Sequence, residues 1–315
     1  IISETPKPAK SSVLGDQVEP PSVDFHNPPA AEPAYIVLLL IPPPGFTATT
    51  LTLPKPGYAV YPFCSTFTLG PICVQGFVVE LFEKLKKRGI LFVAASGRQY
   101  NSILDKLYPI KNDIIIVAEN GGYAMRRDEE LLSTLLPKEQ QHIILETLTK
   151  VENINTVLCG KQGAYLTGDS DAFANLLRQY YSAFEIVEDL SQVEAEVLKI
   201  AIYHFESSEK YIYPSVKHLE GDLKVKVSGP NWVDISSPNA NKGFALQKLQ
   251  MLYNITPKET MVFGDYNNDL EMLALSDFSF AMENAHHNVK EVAKYQTTGN
   301  DDFGVERILE HLVSF

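Results

Sequence analysis

Positive charge is what this 315-residue chain has little of: 27 Lys and Arg stand against 39 Asp and Glu, a formal net charge of -12. With no basic face to offset the repulsion, the sequence argues against nucleic acid or an anionic membrane surface as a partner. Cysteine is scarce as well. Cys64, Cys73 and Cys159 are the only three, an odd number without metal-ligand spacing, which gives no ground for a disulfide framework and makes a reducing cytoplasm the expected setting. Long apolar runs are missing too. The stretch "AYIVLLLI" at 34–41 is stopped by Pro42, Pro43 and Pro44, is too short to span a bilayer, and lacks the basic n-region of a signal peptide.

Charge itself disappears over one part of the chain: between Glu32 and Glu80 the only charged side chain is Lys55, and residues 1–57 hold 12 of the 20 prolines. Proline at that density prevents helix interiors and central strands, so 1–57 is read as extended or loosely packed, with no fold assigned. From Tyr58 the pattern turns regular. "YAVY" reads as a strand, "VQGFVVELFEKLKKRG" as an amphipathic helix ended by Gly89, "ILFVAAS" as a strand, "QYNSILDKLY" as a helix and "DIIIVAEN" as a strand. That alternation predicts a doubly wound, Rossmann-like parallel sheet with right-handed crossovers. After "ENGGY" the rhythm shifts to longer helices and alternating strands such as "EVLKIAIYHF" and "LKVKVS", and it returns near Asp234. The expectation is an α/β core of 58–122 plus 234–315, interrupted by an inserted α/β cap of 124–230 with hinges near Tyr123 and Gly229.

Four pieces fall at the ends of core elements. In "MVFGDYNNDLEML" an apolar strand stops at Gly264 and a helix follows, which gathers Asp265, Asn268 and Asp269 at a strand mouth. Carboxylate oxygens there suit a hard cation such as Mg²⁺, although an Asx-rich helix cap would look similar. Ser96 and Gly97 in "AASGR" open a helix after a buried strand, where a hydroxyl and free N–H groups can hold a phosphoryl oxygen. "ENGG" at 119–122 reads equally well as a plain turn. Lys242 in "NANKGFALQKL" sits in the first turn of a helix, a place that favours anions; taken singly it would be a solvated lysine.

In order, "SGR", "ENGG", "NKGFAL", "GDYNNDLEML", "AMENAHHNVKEVA" and "TTGNDDFGV" resemble the haloacid dehalogenase superfamily, and most closely its Cof-type phosphatases with a large α/β cap. The resemblance spans about 58–315. It implies a Mg²⁺-dependent phosphatase acting on a small phosphorylated metabolite such as a sugar phosphate. By the same resemblance Ser96, Gly97, Lys242 and Asn268 bind the phosphoryl group, Asp265 binds Mg²⁺ and Asp269 supports the loop. His286 and His287 are read as surface residues.

The reactive piece is absent. The family opens on D-x-D-G-T, whose first Asp attacks phosphorus and whose second acts as acid and base. Aligned on Thr66 and Phe67, this chain has Pro62 at the nucleophile, Cys64 at the acid/base and Ser65 at the glycine. Cys64 could lend Mg²⁺ only its backbone carbonyl, and a thiol substitutes poorly for a carboxylic acid in proton transfer. No arginine lies in the loop after Cys64 or Cys73, so a cysteine-phosphatase loop is not expected either. Three readings stay open: residues before about 75 that differ from those of the working enzyme, a catalytically inactive relative that binds a phosphorylated ligand, or a structural or partner-binding use of the fold.

Overall fold

The computed structural model describes residues 35–39, 74–168, 170–178, 181 and 183–314. The chain enters with β1 (Tyr35–Leu39), α1 (Val74–Lys87), β2 (Leu91–Ala95), α2 (Tyr100–Lys106), β3 (Ile115–Ala118), β4 (Tyr123–Arg126) and β5 (Glu129–Ser133). It continues through α3 (Lys138–Leu148), β6 (Ile154–Gly160), β7 (Ala164–Thr167), α4 (Asp171–Leu177), β8 (Phe184–Val187) and β9 (Val197–His204). Next come α5 (Ser208–Tyr211), α6 (Tyr213–Val216), β10 (Lys224–Val227) and β11 (Trp232–Ser236). The last stretch is α7 (Lys242–Tyr253), β12 (Thr260–Gly264), α8 (Leu270–Leu273), β13 (Phe278–Ala281), α9 (His287–Val292), β14 (Tyr295–Gln296) and α10 (Gly304–Val313).

These strands form an eight-stranded sheet, β14-β13-β12-β1-β2-β3-β4-β5, and a six-stranded sheet, β10-β11-β9-β6-β7-β8. In the first, β2 runs parallel to β3, and β12, β13 and β14 run parallel to one another. Strands β3, β12 and β13 are buried along their whole length, as expected of continuous apolar runs covered by helices on both faces. Leu81, Phe82 and Leu85 of α1 join this core. The helix ends on three lysines in its last turn and on Gly89 at φ 73°, which satisfies its dipole and lets the chain turn left-handed. In the second sheet alternate residues go to opposite faces. Leu158, Ile200, Ile202, Val233 and Ile235 pack under α3 and α6, whereas Val157, Cys159, Ala201 and Tyr203 pack under α4.

The structure departs from the expected boundaries at three places. Glu119, Asn120 and Gly121 take φ values of 50°, 55° and 97° in succession, a reversal that lays β4 antiparallel on β3 instead of leading the chain away. The hairpin β4–β5 therefore belongs to the first sheet, and the chain crosses to the second over 134–137, not at Tyr123. Strand β11, expected to rejoin the first sheet near Asp234, pairs with β9 because Val233 and Ile235 alternate into the second core; the return crossing is 237–241. Within the segment left without a fold, Tyr35–Leu39 forms a central strand, antiparallel to β2 and to β12. Its proline-free apolar run is compatible with that position. "YAVY" at 58–61, read as the first strand of the core, lies outside the described residues; between β2 and β12 stands β1.

Candidate active site

Because β12 and β2 are both antiparallel to β1, they run the same way, as does β3. Ala95, Ala118 and Gly264 therefore end on one edge of the sheet, where open α/β folds bind ligands. Ser96 follows β2, the Glu119–Gly121 turn follows β3 and the Asp265–Asp269 turn follows β12. Helix α7 brings Lys242 to this edge by packing against both turns. Asn241 caps it, its side chain accepting from Phe244 N–H at 2.7 Å.

Asp269 organises the loop. Its Oδ1 accepts from Lys242 Nζ at 2.7 Å, and its Oδ2 accepts from the backbone N–H of Asp265 at 3.0 Å and of Tyr266 at 3.2 Å. Both side chains of the Lys242–Asp269 pair are 0% exposed. The solvated lysine is thus excluded, and the buried ammonium has its charge met by the Asp269 carboxylate. Asp265 is also buried, and its Oδ2 accepts from Asn300 Nδ2 at 2.8 Å. Ser96 Oγ accepts from Arg98 N–H at 3.2 Å, which leaves the hydroxyl proton to be donated elsewhere. Ser96 carbonyl accepts from Asn120 N–H at 3.0 Å, and Asn120 Oδ1 accepts from Asn268 Nδ2 at 2.9 Å. Ser96, Asn120 and Asn268 are so tied into one chain of bonds, with Asn268 Oδ1 buried and without a hydrogen-bond partner among the described residues.

Two glycines allow this closeness. A Cβ on Gly97 would lie 2.8 Å from Asn120 Oδ1. On Gly121 it would lie 2.2 Å from Asn241 O and 2.6 Å from Lys242 N, at a φ of +97°. Gly121→Ala is expected to destabilise the fold by about 2–3 kcal/mol or more, from backbone strain and overlap with the start of α7. Urea unfolding checks this, and a loss below about 0.5 kcal/mol, an ordinary surface effect, would contradict it.

Of the residues singled out in the sequence, Ser96, Gly97, Lys242, Asp265, Asn268 and Asp269 gather on this edge, while Pro62 and Cys64 lie outside the described residues. His286 is not merely a surface residue: it is half-buried and caps α9 by accepting from Asn288 N–H at 3.3 Å. His287 is exposed. Asn120 and Asn300 were passed over, though each sits in a quoted motif, and Asn is the non-glycine residue that best tolerates Asn120's left-handed backbone. A second cluster was missed: Lys199 Nζ lies 2.9 Å from Glu119 Oε2 and 3.4 Å from Asp234 Oδ2, bridging the two sheets. A lysine inside the apolar run of β9 was its only signal. Burial holds the Glu119 carboxyl above its ordinary range, against the smaller downward pull of Lys199. Cys159 is no nucleophile, because burial pushes its thiol up to about 12.

A family model for haloacid dehalogenase-like hydrolases matches residues 74–309. The chain belongs to the haloacid dehalogenase-like hydrolases. Among its relatives in this family, a 5-amino-6-(5-phospho-D-ribitylamino)uracil phosphatase of Escherichia coli is 32% identical over 240 residues, 74% of this chain and 89% of the relative. The solved structure of SMU.1108c from Streptococcus mutans superposes with a TM-score of 0.68 at 28% identity, covering 76% of this chain and 91% of that one. A sugar phosphatase of the family's subclass IIB, BT4131, shares the fold with a TM-score of 0.61 at 21% identity, over 75% of this chain and 90% of its own. The family is one of phosphatases that act on small phosphorylated molecules.

The dehalogenase-like family implies Mg²⁺, and the donors at this edge can be tested against it. Among the described residues no three His, Cys, Asp or Glu side chains gather as a ligand set. Among the described residues, the Asp269 carboxylate is committed to Lys242 and two backbone N–H groups, and Asp265 supplies a second carboxylate at the edge, with Asn300 on its Oδ2. One hard carboxylate fits the mode in which Mg²⁺ is held by one or two carboxylates, substrate phosphate oxygens and waters.

Proposed function

We propose that the edge formed by Ser96, Lys242, Asp265 and Asn268 holds the phosphoryl group of a small phosphate monoester, and that the chain is an aspartyl-phosphate phosphatase in design. Its nucleophile and acid/base positions are Pro62 and Cys64 in the sequence as it stands. The observation that carries this reading is the fully buried Lys242, held by Asp269 on the same sheet edge on which Ser96 follows β2. Ser96 donates its hydroxyl proton to one phosphoryl oxygen, and Asn268 orients another. Lys242 supplies positive charge in a site of low dielectric, where it acts more strongly than in water. Asp265, steadied by Asn300, would hold Mg²⁺, which when bound neutralises phosphoryl charge. The second sheet serves as the cap over this edge. The substrate class is a phosphorylated sugar or polyol, in keeping with the relative named for a phosphoribitylamino-pyrimidine. With Pro62 and Cys64 present, the chain retains binding and lacks turnover, so a non-catalytic binder of a phosphorylated ligand is the second reading.

The test is calorimetric titration of a phosphate monoester with and without Mg²⁺. Mg²⁺ should raise the affinity of the unaltered chain by on the order of tenfold, about 1.4 kcal/mol, and should have no effect in Asp265→Asn. An equal response to Mg²⁺ in both proteins would place the metal elsewhere.

A further inference from the structure

The two faces of the second sheet are covered differently. Helices α3 and α6 cover one face, whereas α4 covers only the part of the other that carries Val157, Cys159, Ala201 and Tyr203. The strand pairing places a set of polar residues on the remainder of that second face. Ser236 is directly opposite Lys199 on one side and Lys224 on the other, and Asp234 is directly opposite Lys226. With period-two alternation all five share one face. That face meets the first sheet, because the same side chains line a cavity of about 20 Å³ together with Glu119 and Asn120. Asn120 is bonded to Asn268, so this cavity adjoins the phosphate-binding edge.

Three ammonium groups share this space with two carboxylates, in a chain whose net charge is -12. Lys199 is matched by Glu119 and Asp234 at 2.9 and 3.4 Å. Lys224 donates to the carbonyl of Ala240 at 3.0 Å. Lys226 makes no hydrogen bond or ion pair among the described residues, although it is half-buried. Burial pulls the pKa values of Lys224 and Lys226 down, and Lys226 lies within the electrostatic reach of Glu271, Asp234, Lys242 and Asp269. A half-buried ammonium without a partner, facing a ligand site, is a poor structural element and a suitable contact for an anion. The cavity has room for about one water, so contact of a ligand with Lys226 through it would require the second sheet to stand further from the first.

We propose that Lys226, backed by Lys224, recognises a second anionic group on the leaving portion of the substrate, remote from the phosphoryl group at Ser96 and Lys242. The substrate class is thereby narrowed to phosphate esters that also carry a carboxylate or a further phosphate. This rests on the reading of the Ser96–Lys242 edge as a phosphate site.

Three probes that differ only at the far carbon separate the cases: sorbitol 6-phosphate, 6-phosphogluconate and sorbitol 1,6-bisphosphate, each titrated calorimetrically into the full chain with Mg²⁺. At least one of the two acidic probes should bind about tenfold or more tightly than sorbitol 6-phosphate, as a charge-assisted contact supplies. Which one does so distinguishes carboxylate from phosphate. Lys226→Met should remove that preference while sorbitol 6-phosphate binds within about twofold of the unaltered chain, which also shows that the variant is folded. Lys226→Arg should keep the preference. Equal binding of all three probes to the unaltered chain overturns the proposal, as does a preference that survives in both Lys226→Met and Lys224→Met. If sorbitol 6-phosphate and inorganic phosphate both fail to bind the folded chain, the phosphate-site reading itself falls and takes this proposal with it.

Discussion

Incubated with Mg²⁺ and a phosphate monoester, the unaltered chain is expected to release no phosphate above the uncatalysed rate. Proline has no nucleophilic side chain, and removing the nucleophile of a serine protease lowers turnover by about 10⁶ while the binding groups keep only a remnant of rate. Restoring the motif with Pro62→Asp, Cys64→Asp and Ser65→Gly should recover metal-dependent hydrolysis. Pro62→Asp alone should recover less, since the leaving oxygen would still lack its acid. The position of β1 adds a second requirement. A strand that delivers a nucleophile to this edge has to run parallel to β2 and β12, and the place between them is filled by Tyr35–Leu39 running the other way. The triple variant should therefore turn over faster after residues 1–57 are removed. EDTA should abolish the rate in every active form. Robust metal-dependent turnover by the unaltered chain would show that the nucleophile lies elsewhere. Equal rates of the triple variant with and without 1–57 would show that β1 does not obstruct it.

Lys242→Met is expected to cost about 3–5 kcal/mol of stability, the loss usual when one partner of a buried ion pair is removed and the other charge is left unpaired. Asp269 cannot relax outward, because its other oxygen holds the backbone of Asp265 and Tyr266. The same variant should lose binding of phosphate esters. Lys242→Arg should not rescue it, since a planar guanidinium cannot replace a compact ammonium in a fully buried position. Urea unfolding measures the first effect and calorimetry the second. A loss under about 1 kcal/mol, as for an exposed pair, would mean that the pair opens to water in solution.

Much of this edge was legible in the sequence, because each part is built from local signals. The cap Asn241 and the left-handed Asn254 that bound α7, the apolar run into Gly264 and the Asn-Asn-Asp turn are all set by residues within a few positions of one another. The burial of Lys242 was not legible, because its partner Asp269 lies 27 residues away and meets it only in the packed fold. The turn at "ENGG" was visible as a turn, but not the direction in which three left-handed residues would send the chain. Hence residues 124–133 were expected in the inserted cap, whereas they form β4 and β5 of the first sheet. The role of Asn300 depends on the last turn folding back to Asp265, a contact across 35 positions that no local pattern encodes. The strand at Tyr35–Leu39 was obscured by the prolines around it, which describe its neighbours and not the run itself.

The claim on which the rest depends is that the edge binds a phosphoryl group without the motif aspartates. The direct measurement is calorimetric titration of inorganic phosphate into the unaltered chain with Mg²⁺, alongside Ser96→Ala. The account predicts saturable binding at one site, weakened by about tenfold or more in Ser96→Ala, the cost of one hydrogen bond to a charged group. Failure of the folded chain to bind phosphate, or the same affinity in both proteins, would contradict it.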